Sequence, residues 1–481
     1  MSDTEQKRQF VEDIADQADD FSRWYNDVVR KAQLADYAPV RGCMVIRPYG
    51  YGMWENMQQL LDARIKATGH QNVYMPLLIP ESLLQKEAEH VEGFAPECAW
   101  VTHGGREALE ERYAIRPTSE AMFGHMYSRW IESYRDLPLL LNQWANVMRW
   151  EKVTRLFLRT AEFLWQEGHT AHASAEECRA EVLRMLDVYR AFAEEDLAIP
   201  VHAGLKSDAE KFAGAEQTYT IEALMRDGKA LQAGTSHDLG QHFAKVFDIT
   251  YQDEAGKRRY VHQTSWGVST RLIGAVIMTH GDDAGLRLPP RIAPIQAVVV
   301  PIWKKDEEKA AVLEFVDRVR AAVGQRVRLH VDDRDQYSPG WKYNEYELRG
   351  VPVRIEVGPK DVAKGAVMTV LRSGRVKESV PLEALAARLP ELLDGVQRAL
   401  FESASEFRAA QTAPASSLAD VEAHFGAKRG FVVMPWDGDA ALEAEIKART
   451  GATLRCMPLD PGAFPHVPRG SKGIALFARS Y

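Results

Sequence analysis

Apolar residues in the first half of the chain alternate between helical spacing and short strand-like runs. They recur at helical spacing from Phe10 to Leu34, and a second helix is predicted from about Met53 to Thr68, with a turn at RPYGYG before it. The predicted strands are CMVI, NVYMPLLIP, Leu139–Arg149, Phe157–Gln166 and a stretch near Lys229–Gln232. This mixture predicts an α+β domain whose sheet is antiparallel rather than doubly wound.

The pattern changes after LRLPPRIAP (Leu286–Pro294), where two adjacent prolines interrupt any helix or central strand. The strand IQAVVVPI, a charged helix at about Asp306–Val323 and the strands RVRLHVDD and VPVRIEVG predict a compact α/β domain with a largely parallel sheet. A helix over Pro381–Glu402 leads into AAQTAPASS, a linker by composition. The last stretch holds two strand candidates and one helix. We therefore expect three domains, over residues 1–288, 289–402 and 403–481.

Composition indicates a multidomain intracellular protein. The 481 residues are 46% hydrophobic, which is too much for a single core. The four cysteines (Cys43, Cys98, Cys178 and Cys456) form no CxxC pair, which argues against disulfides and suits the reducing cytosol. The N-terminus is unlike a signal peptide, and no apolar run approaches the length of a membrane span. We expect a cytoplasmic protein with no membrane partner.

Charge leaves the question of a nucleic-acid partner open. The formal net charge is −8, whereas residues 291–400 carry 19 Lys+Arg against 16 Asp+Glu. A mildly basic module of this kind could contact a polyanion locally. Chance variation on a solvated surface explains the same numbers equally well.

The segment RWEKVTRLFLRTAEFLWQEGHTAH, at 149–172, combines charges with aromatic rings. Because side chains alternate along a strand, two sets are expected to share a strand face: Arg149 with Glu151, and Trp165 with Glu167 and His169. Such a face cannot be a dry core, since unpaired buried charges are costly. A bound nucleotide would satisfy it, with arginine on phosphate, glutamate on the base amine and Phe163 stacked on the ring. A strand of surface ion pairs is the alternative.

Three further segments contain residues suited to a polar ligand. AIRPTSEAM places Thr118 and Glu120 in a predicted loop, LQAGTSHDLGQ groups polar residues around a glycine, and TSWGVSTRLIGAVI places Arg271 at the start of an apolar helix. An arginine there opposes the helix dipole, so an anionic partner is expected. Taken singly, several residues have ordinary explanations as a helix cap, a core ring or a loop histidine: Ser265, Trp266 and His237.

In chain order, NVYMPLL, RWE…FLRTAEF and GVSTRLIGAV resemble motifs one, two and three of the class II aminoacyl-tRNA synthetases. With RPTSE, FLWQEGHTAH, KFAGAEQTYTIEALMRDGKALQAGTSH and HQTSWGVSTRLIGAVIMTHGDDAGLRLPPRIAP, the chain resembles the prolyl-tRNA synthetases over nearly its whole length. The short interval between GHTAH and GTSH leaves no room for a large editing insertion, so the resemblance is to the archaeal and eukaryotic-like type.

The resemblance implies a fold and an activity. The catalytic domain (1–288) would be an antiparallel sheet flanked by helices, followed by an α/β anticodon-binding domain (289–402) and a small α/β C-terminal domain (403–481). The enzyme would activate L-proline with ATP to prolyl-adenylate, release pyrophosphate, and transfer proline to the 3′ end of tRNA(Pro).

The resemblance also implies a role for each matching residue. Arg149 would contact the proline carboxylate and the α-phosphate, and Arg271 would hold the outer phosphates; these are the expected catalytic residues. Glu151 would face the adenine amine, and Phe163 would stack on adenine. The rest of the ATP site would comprise Arg159, Thr160, Gln232 and Thr235. The substrate amine would be bound by Thr118 and Glu120. The pyrrolidine ring would be enclosed by Trp165, Glu167, His169, Phe212, Ser265 and Gly267.

Residues 291–400 resemble the family's anticodon-binding domain. Single-stranded bases are recognised by stacking on aromatic rings and by hydrogen bonds to their edges. The candidate residues are Arg334, Trp341, Lys342, Tyr343, Glu347, Arg354 and Lys360. In the alternative interpretation, Trp341 and Tyr343 are packing residues.

The C-terminal domain departs from the family pattern at its metal site. Relatives carry a zinc module with two cysteines near a tryptophan and a later CxxC, but here Asp437 and Leu442 occupy the first two positions. Leucine cannot bind a metal, so we expect no structural zinc and a module held by apolar packing. The family's C-terminal tyrosine is present as Tyr481.

Mg²⁺ is expected to accompany ATP, and motif one at Pro76 suggests a homodimer. Two other hypotheses stay open: a catalytically dead tRNA-binding paralogue, which should have lost one of the two arginines or Glu151, and a ligase for another small amino acid. TSE, FLWQEGHTAH and TSWG favour proline. Because a methylene discriminates poorly between amino acids, mischarging with alanine or cysteine is plausible, with no editing domain to correct it.

Overall fold

The computed structural model describes residues 14–88 and 97–481. Its helices are α1 (Phe21–Lys31), α2 (Pro48–Ala67), α3 (Glu81–Ala88), α4 (Glu120–Trp130), α5 (Ala175–Ala191), α6 (His242–Phe247), α7 (Arg271–His280), α8 (Asp306–Val323), α9 (Pro339–Leu348), α10 (Pro359–Lys364), α11 (Leu382–Ala410), α12 (Leu418–Ala427) and α13 (Ala440–Thr450). The predicted helix start at Phe10 lies outside the described residues. Within the described ranges, no helix is long and apolar enough to cross a membrane.

The strands before the proline-rich boundary at Leu286–Pro294 are β1 (Ala35–Tyr37), β2 (Met44–Ile46), β3 (Gln71–Asn72), β4 (Leu78–Pro80), β5 (Trp100–Gly104), β6 (Glu107–Ile115), β7 (Leu139–Met148), β8 (Glu162–His172), β9 (Val201–Leu205), β10 (Gln217–Leu224), β11 (Ala230–Gly240), β12 (Thr250–Gln252), β13 (Arg258–Tyr260) and β14 (His262–Ser269). The remaining strands are β15 (Ala297–Pro301), β16 (Leu329–Val331), β17 (Val353–Val357), β18 (Ala366–Leu371), β19 (Lys377–Pro381), β20 (Thr412–Pro414), β21 (Phe431–Pro435), β22 (Thr453–Pro458) and β23 (Ile474–Ala478).

The largest sheet has eleven strands in the order β20-β21-β23-β22-β9-β10-β11-β14-β8-β7-β3. All neighbours from β21 through β7 are antiparallel, and the outermost pairs at the two edges are parallel. One apolar core joins α1, α2, α5 and α7 to this sheet, and a second joins α4 and α6 to it. The prediction of an antiparallel sheet flanked by helices is confirmed.

The hairpin at 149–161 differs from the prediction. β7 ends at Met148, and β8 begins at Glu162 rather than at Phe157. Phe157 has φ 62°, a left-handed conformation that an extended strand cannot contain. The turn is closed where the Arg159 N–H donates to the Arg155 carbonyl at 2.9 Å. The predicted strand at Phe157–Gln166 was therefore wrong in its first residues.

NVYMPLLIP does not form one buried strand. Only its ends pair, in β3 and β4, and between them side chains bond the backbone of Met75. The Met75 N–H donates to Gln143 Oε1 at 2.5 Å, and Arg116 Nη1 donates to the Met75 carbonyl at 2.7 Å. These bonds replace a strand partner, as buried backbone groups require.

The turn predicted at RPYGYG is the first turn of α2. Pro48 occupies the first helical position, where the missing N–H is not needed. Gly50 lies against the carbonyl of Leu34, where a side chain would collide with the backbone. The residues that suggested a turn serve the start of the helix and its close packing.

The second domain has a five-stranded sheet in the order β16-β15-β17-β18-β19. β15, β16 and β17 are parallel, but β18 and β19 are antiparallel, so the sheet is less parallel than predicted. The helix predicted over Pro381–Glu402 is α11, which continues to Ala410.

The C-terminal module, here residues 412–481, contains more regular structure than predicted. AAQTAPASS is not a free linker, because β20 within it pairs in parallel with β21. Two helices and four strands replace the one helix and two strands expected, and apolar residues including Phe425, Trp436 and Phe477 form its core. β22 pairs with β9, so the module extends the central sheet.

Candidate active site

A cleft of about 300 Å³ lies on the central sheet over β8, β10, β11 and β14. The antiparallel register brings distant segments together, because Ser265 lies opposite His169, and Gly267 lies opposite both Glu167 and Thr235. The sequence-predicted residues that line the cleft are Thr118, Glu120, Arg149, Phe163, Trp165, Glu167, His169, Phe212, Gln232, Thr235, Ser265, Gly267 and Arg271.

A β-bulge accounts for two of these positions. Glu222 on β10 pairs with Gln232, and the preceding Ile221 pairs with Gly234, which leaves Ala233 as an extra residue. Without the bulge, Gln232 and Thr235 would point to opposite faces, since they are three residues apart. The bulge is why both line the cleft.

Glu167 is the centre of a buried polar network at one end of the cleft. Its Oε1 accepts hydrogen bonds from Ser119 Oγ at 2.6 Å and Gln143 Nε2 at 2.7 Å, and its Oε2 lies 2.9 Å from His169 Nε2. The residue is 2% exposed. With both oxygens bonded, the carboxylate has one fixed orientation, and this end of the cleft is acidic.

The start of α4 adds a second carboxylate to this acidic end. Glu120 is the first residue of α4 and accepts a hydrogen bond from the Thr118 hydroxyl. Phe123 on the same helix stacks on the His169 ring at 4.0 Å between centroids, and Tyr127 donates to the His169 carbonyl at 2.7 Å. The helix therefore fixes both the carboxylate and the imidazole.

Phe212, Thr218 and His237 form another part of the cleft lining. The Phe212 N–H donates to Thr218 Oγ1 at 3.0 Å, and that hydroxyl lies 3.0 Å from His237 Nδ1. The Phe212 and His237 ring centroids are 4.7 Å apart. Burial, with a smaller effect from His169, lowers the pKa of His237 to about 3, so its imidazole is neutral at pH 7.

Two arginines, Arg149 and Arg271, add cationic groups to the cleft. The Arg149 Nε donates to the Pro117 carbonyl at 3.0 Å, and its guanidinium lies 5.6 Å from the Phe163 ring and 5.7 Å from the Trp165 ring. Arg149 is open to solvent within the cleft, yet the surrounding protein lowers its pKa through desolvation. Desolvation and then the neighbouring Arg149 and Arg159 lower the pKa of Arg271. These guanidinium groups repel one another, so an anion between them would be stabilised.

Three predicted ATP-site residues lie outside the cleft. Because β7 ends at Met148, Arg149 and Glu151 do not share a strand face, which corrects the predicted geometry. Glu151 instead accepts a hydrogen bond from Arg159 Nε at 2.7 Å. Thr160 Oγ1 donates to the Glu162 carbonyl at 2.7 Å.

Three buried polar atoms of the cleft residues lack hydrogen-bond partners within the described part of the chain. These are Trp165 Nε1, Ser265 Oγ and Trp266 Nε1. Buried donors without partners are costly, so groups of this kind suit a polar ligand. No group of three His, Cys, Asp or Glu among residues 14–88 and 97–481 could hold a metal ion, and Glu120 and Glu167 are already hydrogen-bonded.

Comparison with known proteins identifies the family. The chain matches "tRNA synthetase class II core domain (G, H, P, S and T)" over residues 100–280, "Anticodon binding domain" over 296–392 and "Prolyl-tRNA synthetase, C-terminal" over 418–481. It is 57% identical to the proline–tRNA ligase of Natranaerobius thermophilus, over 94% of this chain and 93% of that one. It is 55% identical to proline–tRNA ligase 2 of Clostridioides difficile, over 99% of each. The chain belongs to the prolyl-tRNA synthetase family.

A solved structure of the family supports the fold. The crystal structure of prolyl-tRNA synthetase from Cryptosporidium parvum, complexed with halofuginone and AMPPNP, matches with a TM-score of 0.91 at 40% identity. The match covers 97% of this chain and 99% of that chain. The motif resemblance and the class II synthetase fold are therefore confirmed.

Sequence reasoning missed several residues of the synthetase cleft. Thr218 had no sequence signal beyond its strand position, and Glu210 and Lys211 lie in an irregular segment whose path no periodicity predicts. His237 was interpreted as a loop histidine and lines the cleft from β11. Trp266 was interpreted as a core ring and is both buried and at the cleft wall.

The anticodon candidates of the synthetase are spread over two sites. Arg334 donates to Asp332 and Glu345 at 2.7 and 2.6 Å, and Trp341 stacks on Tyr337 at 3.9 Å. Lys342 is 3% exposed and donates to the Asp332 carbonyl at 2.9 Å, which is a structural contact.

The second group of anticodon candidates lines a larger cleft. Tyr343, Glu347 and Arg354 border a space of about 740 Å³ that also reaches Asp283. Arg354 lies 3.9 Å from the Tyr343 ring centroid, and Glu347 accepts from Arg375 Nη2 at 2.7 Å. The last candidate, Lys360, is exposed on α10.

The zinc-module positions of the synthetase are occupied by other contacts. Asp437 Oδ1 accepts from the Ser471 N–H at 2.5 Å, and Leu442 packs against the apolar core of the module. The C-terminal Tyr481 hydroxyl donates to Asp227 Oδ2 at 2.7 Å, and Arg155 lies 5.6 Å from its ring.

Proposed function

We propose that this chain activates L-proline with ATP, releases pyrophosphate, and transfers proline from prolyl-adenylate to the 3′ end of tRNA(Pro). The observation that carries the proposal is one cleft lined both by the carboxylates of Glu120 and Glu167 and by the guanidinium groups of Arg149 and Arg271. A protonated amine suits the carboxylates, and phosphates suit the guanidinium groups. The amino-acid carboxylate would lie between them, next to the phosphorus that it attacks.

Adenylate formation needs no nucleophile or base from the protein. An oxygen of the ionised proline carboxylate attacks the α-phosphorus of ATP, and the bond to the bridging oxygen breaks as pyrophosphate leaves. The enzyme must align these groups and neutralise charge on the pentavalent centre. We assign this work to Arg149, on the carboxylate and α-phosphate, and to Arg271, on the outer phosphates.

Transfer to tRNA uses the same alignment. The terminal ribose 3′ hydroxyl attacks the prolyl carbonyl and gives up its proton to the departing phosphate, and the bond from that carbon to the adenylate oxygen breaks with AMP as the leaving group. AMP is a good leaving group because its phosphate accepts the electron pair. Arg149 would stabilise that charge.

The acidic end would recognise the amino acid. Thr118 and Glu120 would bind the secondary ammonium group, and Ser265 offers a hydroxyl without another partner among the described residues. The ring would be enclosed by Trp165, Glu167, His169, Phe212, Ser265 and Gly267.

The part of the cleft around the two arginines would recognise the nucleotide. Phe163 would stack on adenine, with Arg271 on its other face. Glu151 would accept a hydrogen bond from the adenine amine while it keeps its bond to Arg159. The remaining contacts are assigned to Arg159, Thr160, Gln232 and Thr235.

Mg²⁺ would enter with ATP, bound to its phosphates, and we assign it no protein ligand. The second domain would bind the anticodon of tRNA(Pro). Exposed Tyr74 and Leu78, in the motif-one segment, support a homodimer formed through that surface. We further propose a cytoplasmic location.

Exchange between ATP and labelled pyrophosphate, measured with each amino acid in turn, tests the proposed function. Proline should give the highest kcat/KM, with alanine and cysteine activated weakly because they fit the same pocket with less contact. Exchange driven best by another amino acid, or no exchange with any, would refute the proposed substrate. Charging of tRNA(Pro) then tests the second step.

A further inference from the structure

The C-terminal module is bonded to the catalytic domain beside the cleft. Its β22 pairs with β9, and the Leu459 N–H donates to the Ala203 carbonyl at 2.9 Å. Gly204 on β9 lies so close to Cys456 and Met457 that an added side chain would meet them at 2.6 Å. The chain leaves β9 at Leu205 and enters the 206–216 loop, which we define as the residues between β9 and β10.

The 206–216 loop supplies one wall of the cleft. Glu210, Lys211 and Phe212 all border the cleft. The catalytic sheet holds the ends of the loop, because the Lys206 N–H donates to the Thr218 carbonyl and the Glu216 N–H donates to the Asp238 carbonyl, both at 2.8 Å.

Side chains of the C-terminal module hold the first half of the loop. Ser207 Oγ donates to Glu443 Oε1 at 2.6 Å, and both residues are buried. Lys447, one turn along α13, lies 3.3 Å from Glu210. This second pair is exposed and contributes little, so the buried bond is the stronger constraint.

A buried ion cluster anchors the base of the same loop. Glu222 on β10 accepts from Lys206 Nζ at 2.9 Å and from Arg455 Nε at 3.0 Å. Arg455 belongs to β22, so this cluster joins the C-terminal module, the 206–216 loop and β10. On β10, Glu222 pairs with Gln232 of the cleft. All three side chains are nearly inaccessible to solvent. Both anchors therefore place the loop relative to the floor of the cleft.

We propose that Glu443 of the C-terminal module is a positioning residue for the amino-acid pocket, acting through Ser207 to hold the 206–216 loop and Phe212 over the substrate. This inference rests on the proposed function for the identity of the substrate. Glu443 does not line the cleft, and it acts on the wall that faces the proline ring. Its loss should therefore affect proline binding more than ATP binding or the chemical step.

Two readouts on the full-length protein test the proposal. In pyrophosphate exchange, Glu443→Ala should raise the KM for proline about 5- to 30-fold, while kcat and the KM for ATP change by less than about 2-fold. Glu443→Gln should remain near the wild type, because its amide oxygen can accept the Ser207 hydroxyl. Ser207→Ala should reproduce the effect, and the double variant should add nothing further.

The second readout is amide hydrogen exchange of the 206–216 loop without substrate, which should be faster in Glu443→Ala. Glu445→Ala is the matched control, because Glu445 lies on the same helix and pairs with Arg449 and not with the loop. An unchanged proline KM in Glu443→Ala, or equal rises in the proline and ATP KM values, would overturn the positioning role. Unchanged loop exchange would overturn the anchoring itself. If the wild-type protein shows no proline-dependent exchange, while Glu443→Ala still speeds amide exchange in the loop, the proposed function is refuted and the anchoring stands.

Discussion

At the scale of single residues, opposite charges occupy separate side chains of one cleft. Glu167 and Glu120 are fixed by hydrogen bonds, and Arg149 and Arg271 donate to backbone carbonyls and to no carboxylate among residues 14–88 and 97–481. A zwitterionic amino acid therefore has one favourable orientation, with its amine inward and its carboxylate toward the arginines. This orientation is the one that adenylate formation requires.

Replacing Arg149 tests this separation of charge. Arg149→Ala should lower proline-dependent pyrophosphate exchange by at least about 10²- to 10³-fold, since it removes a donor to charge that develops in the transition state. Arg106→Ala, an exposed arginine outside the cleft, is the control and should retain full activity. Near-normal exchange in Arg149→Ala would refute the assigned role.

The identities of the cleft residues could be predicted from the sequence better than their geometry. Motif resemblance selected residues such as Trp165 and Ser265, which line the same cleft from two paired strands. It could not show that Glu151 leaves the strand, because the turn depends on the conformation of Phe157. It also could not show that Lys342 is buried, since burial is decided by tertiary packing against Asp332.

At the scale of elements, the cleft depends on close packing between β8 and β14. Gly168 lies opposite Trp266, and the indole fills the space where a side chain at 168 would project. Trp266 also contacts His70 and Tyr189, at ring-centroid distances of 5.0 and 6.2 Å. The floor of the cleft is therefore rigid, and a glycine on β8 is part of the reason.

A methyl group at 168 should disturb this packing. Gly168→Ala should lower the free energy of unfolding by about 1–3 kcal/mol, because the indole must move in a filled core. Gly395→Ala, in α11 with no atom of the described residues near the added methyl group, should be neutral or stabilising by up to about 1 kcal/mol. Thermal melts of both variants provide the measurement, and equal melting temperatures would contradict the packing argument.

Elements were predicted best where they are long and regular. The helix at Asp306–Val323 and the strand of IQAVVVPI lie where the pattern placed them. Short strands such as β20 were missed, because three residues carry no period and pair only when β21 is beside them. The bulge at Ala233 is likewise invisible to alternation, although it sets two cleft positions.

At the scale of the whole molecule, the three domains are joined by hydrogen bonds at their junctions. β22 extends the catalytic sheet, and Arg372 from the second domain donates to Asp282 at 2.9 Å. Histidines that the surrounding protein shields from water in the catalytic domain add a common response to acid. Burial lowers the pKa of His202 and of His280 to about 3 and that of His172 to about 4.

These histidines predict a loss of stability in acid. A histidine in the unfolded chain has a pKa near 6.5, so it takes up a proton before the folded chain does. The stability that each neutral histidine contributes is fully present above pH 6.5. It is lost as the pH falls from 6.5 toward 3, and the loss is about 2 kcal/mol per histidine at pH 5. His280→Gln should reduce the change in unfolding free energy between pH 7 and pH 5 by about that amount, and His103→Gln, at an exposed position, is the control. An identical pH dependence in His280→Gln would contradict this account.

The C-terminal module predicts a second whole-molecule property. With Asp437 and Leu442 in place of cysteines and an apolar core around Trp436, the module should fold without zinc. Elemental analysis of purified protein should give less than about 0.1 zinc per chain, and a chelator should leave the melting temperature unchanged, because no folding energy comes from a metal. Stoichiometric zinc that stabilises the protein would refute this.

The most direct test of the central claim is a crystal structure with a non-hydrolysable analogue of prolyl-adenylate. The analogue should lie in the cleft over β8 and β14, with Arg149 and Arg271 in contact with the nucleotide part and its linkage, Phe163 stacked on adenine, and the pyrrolidine ring between Trp165 and Phe212. An analogue bound elsewhere, or bound here with its phosphate mimic away from both arginines, would contradict the assignment.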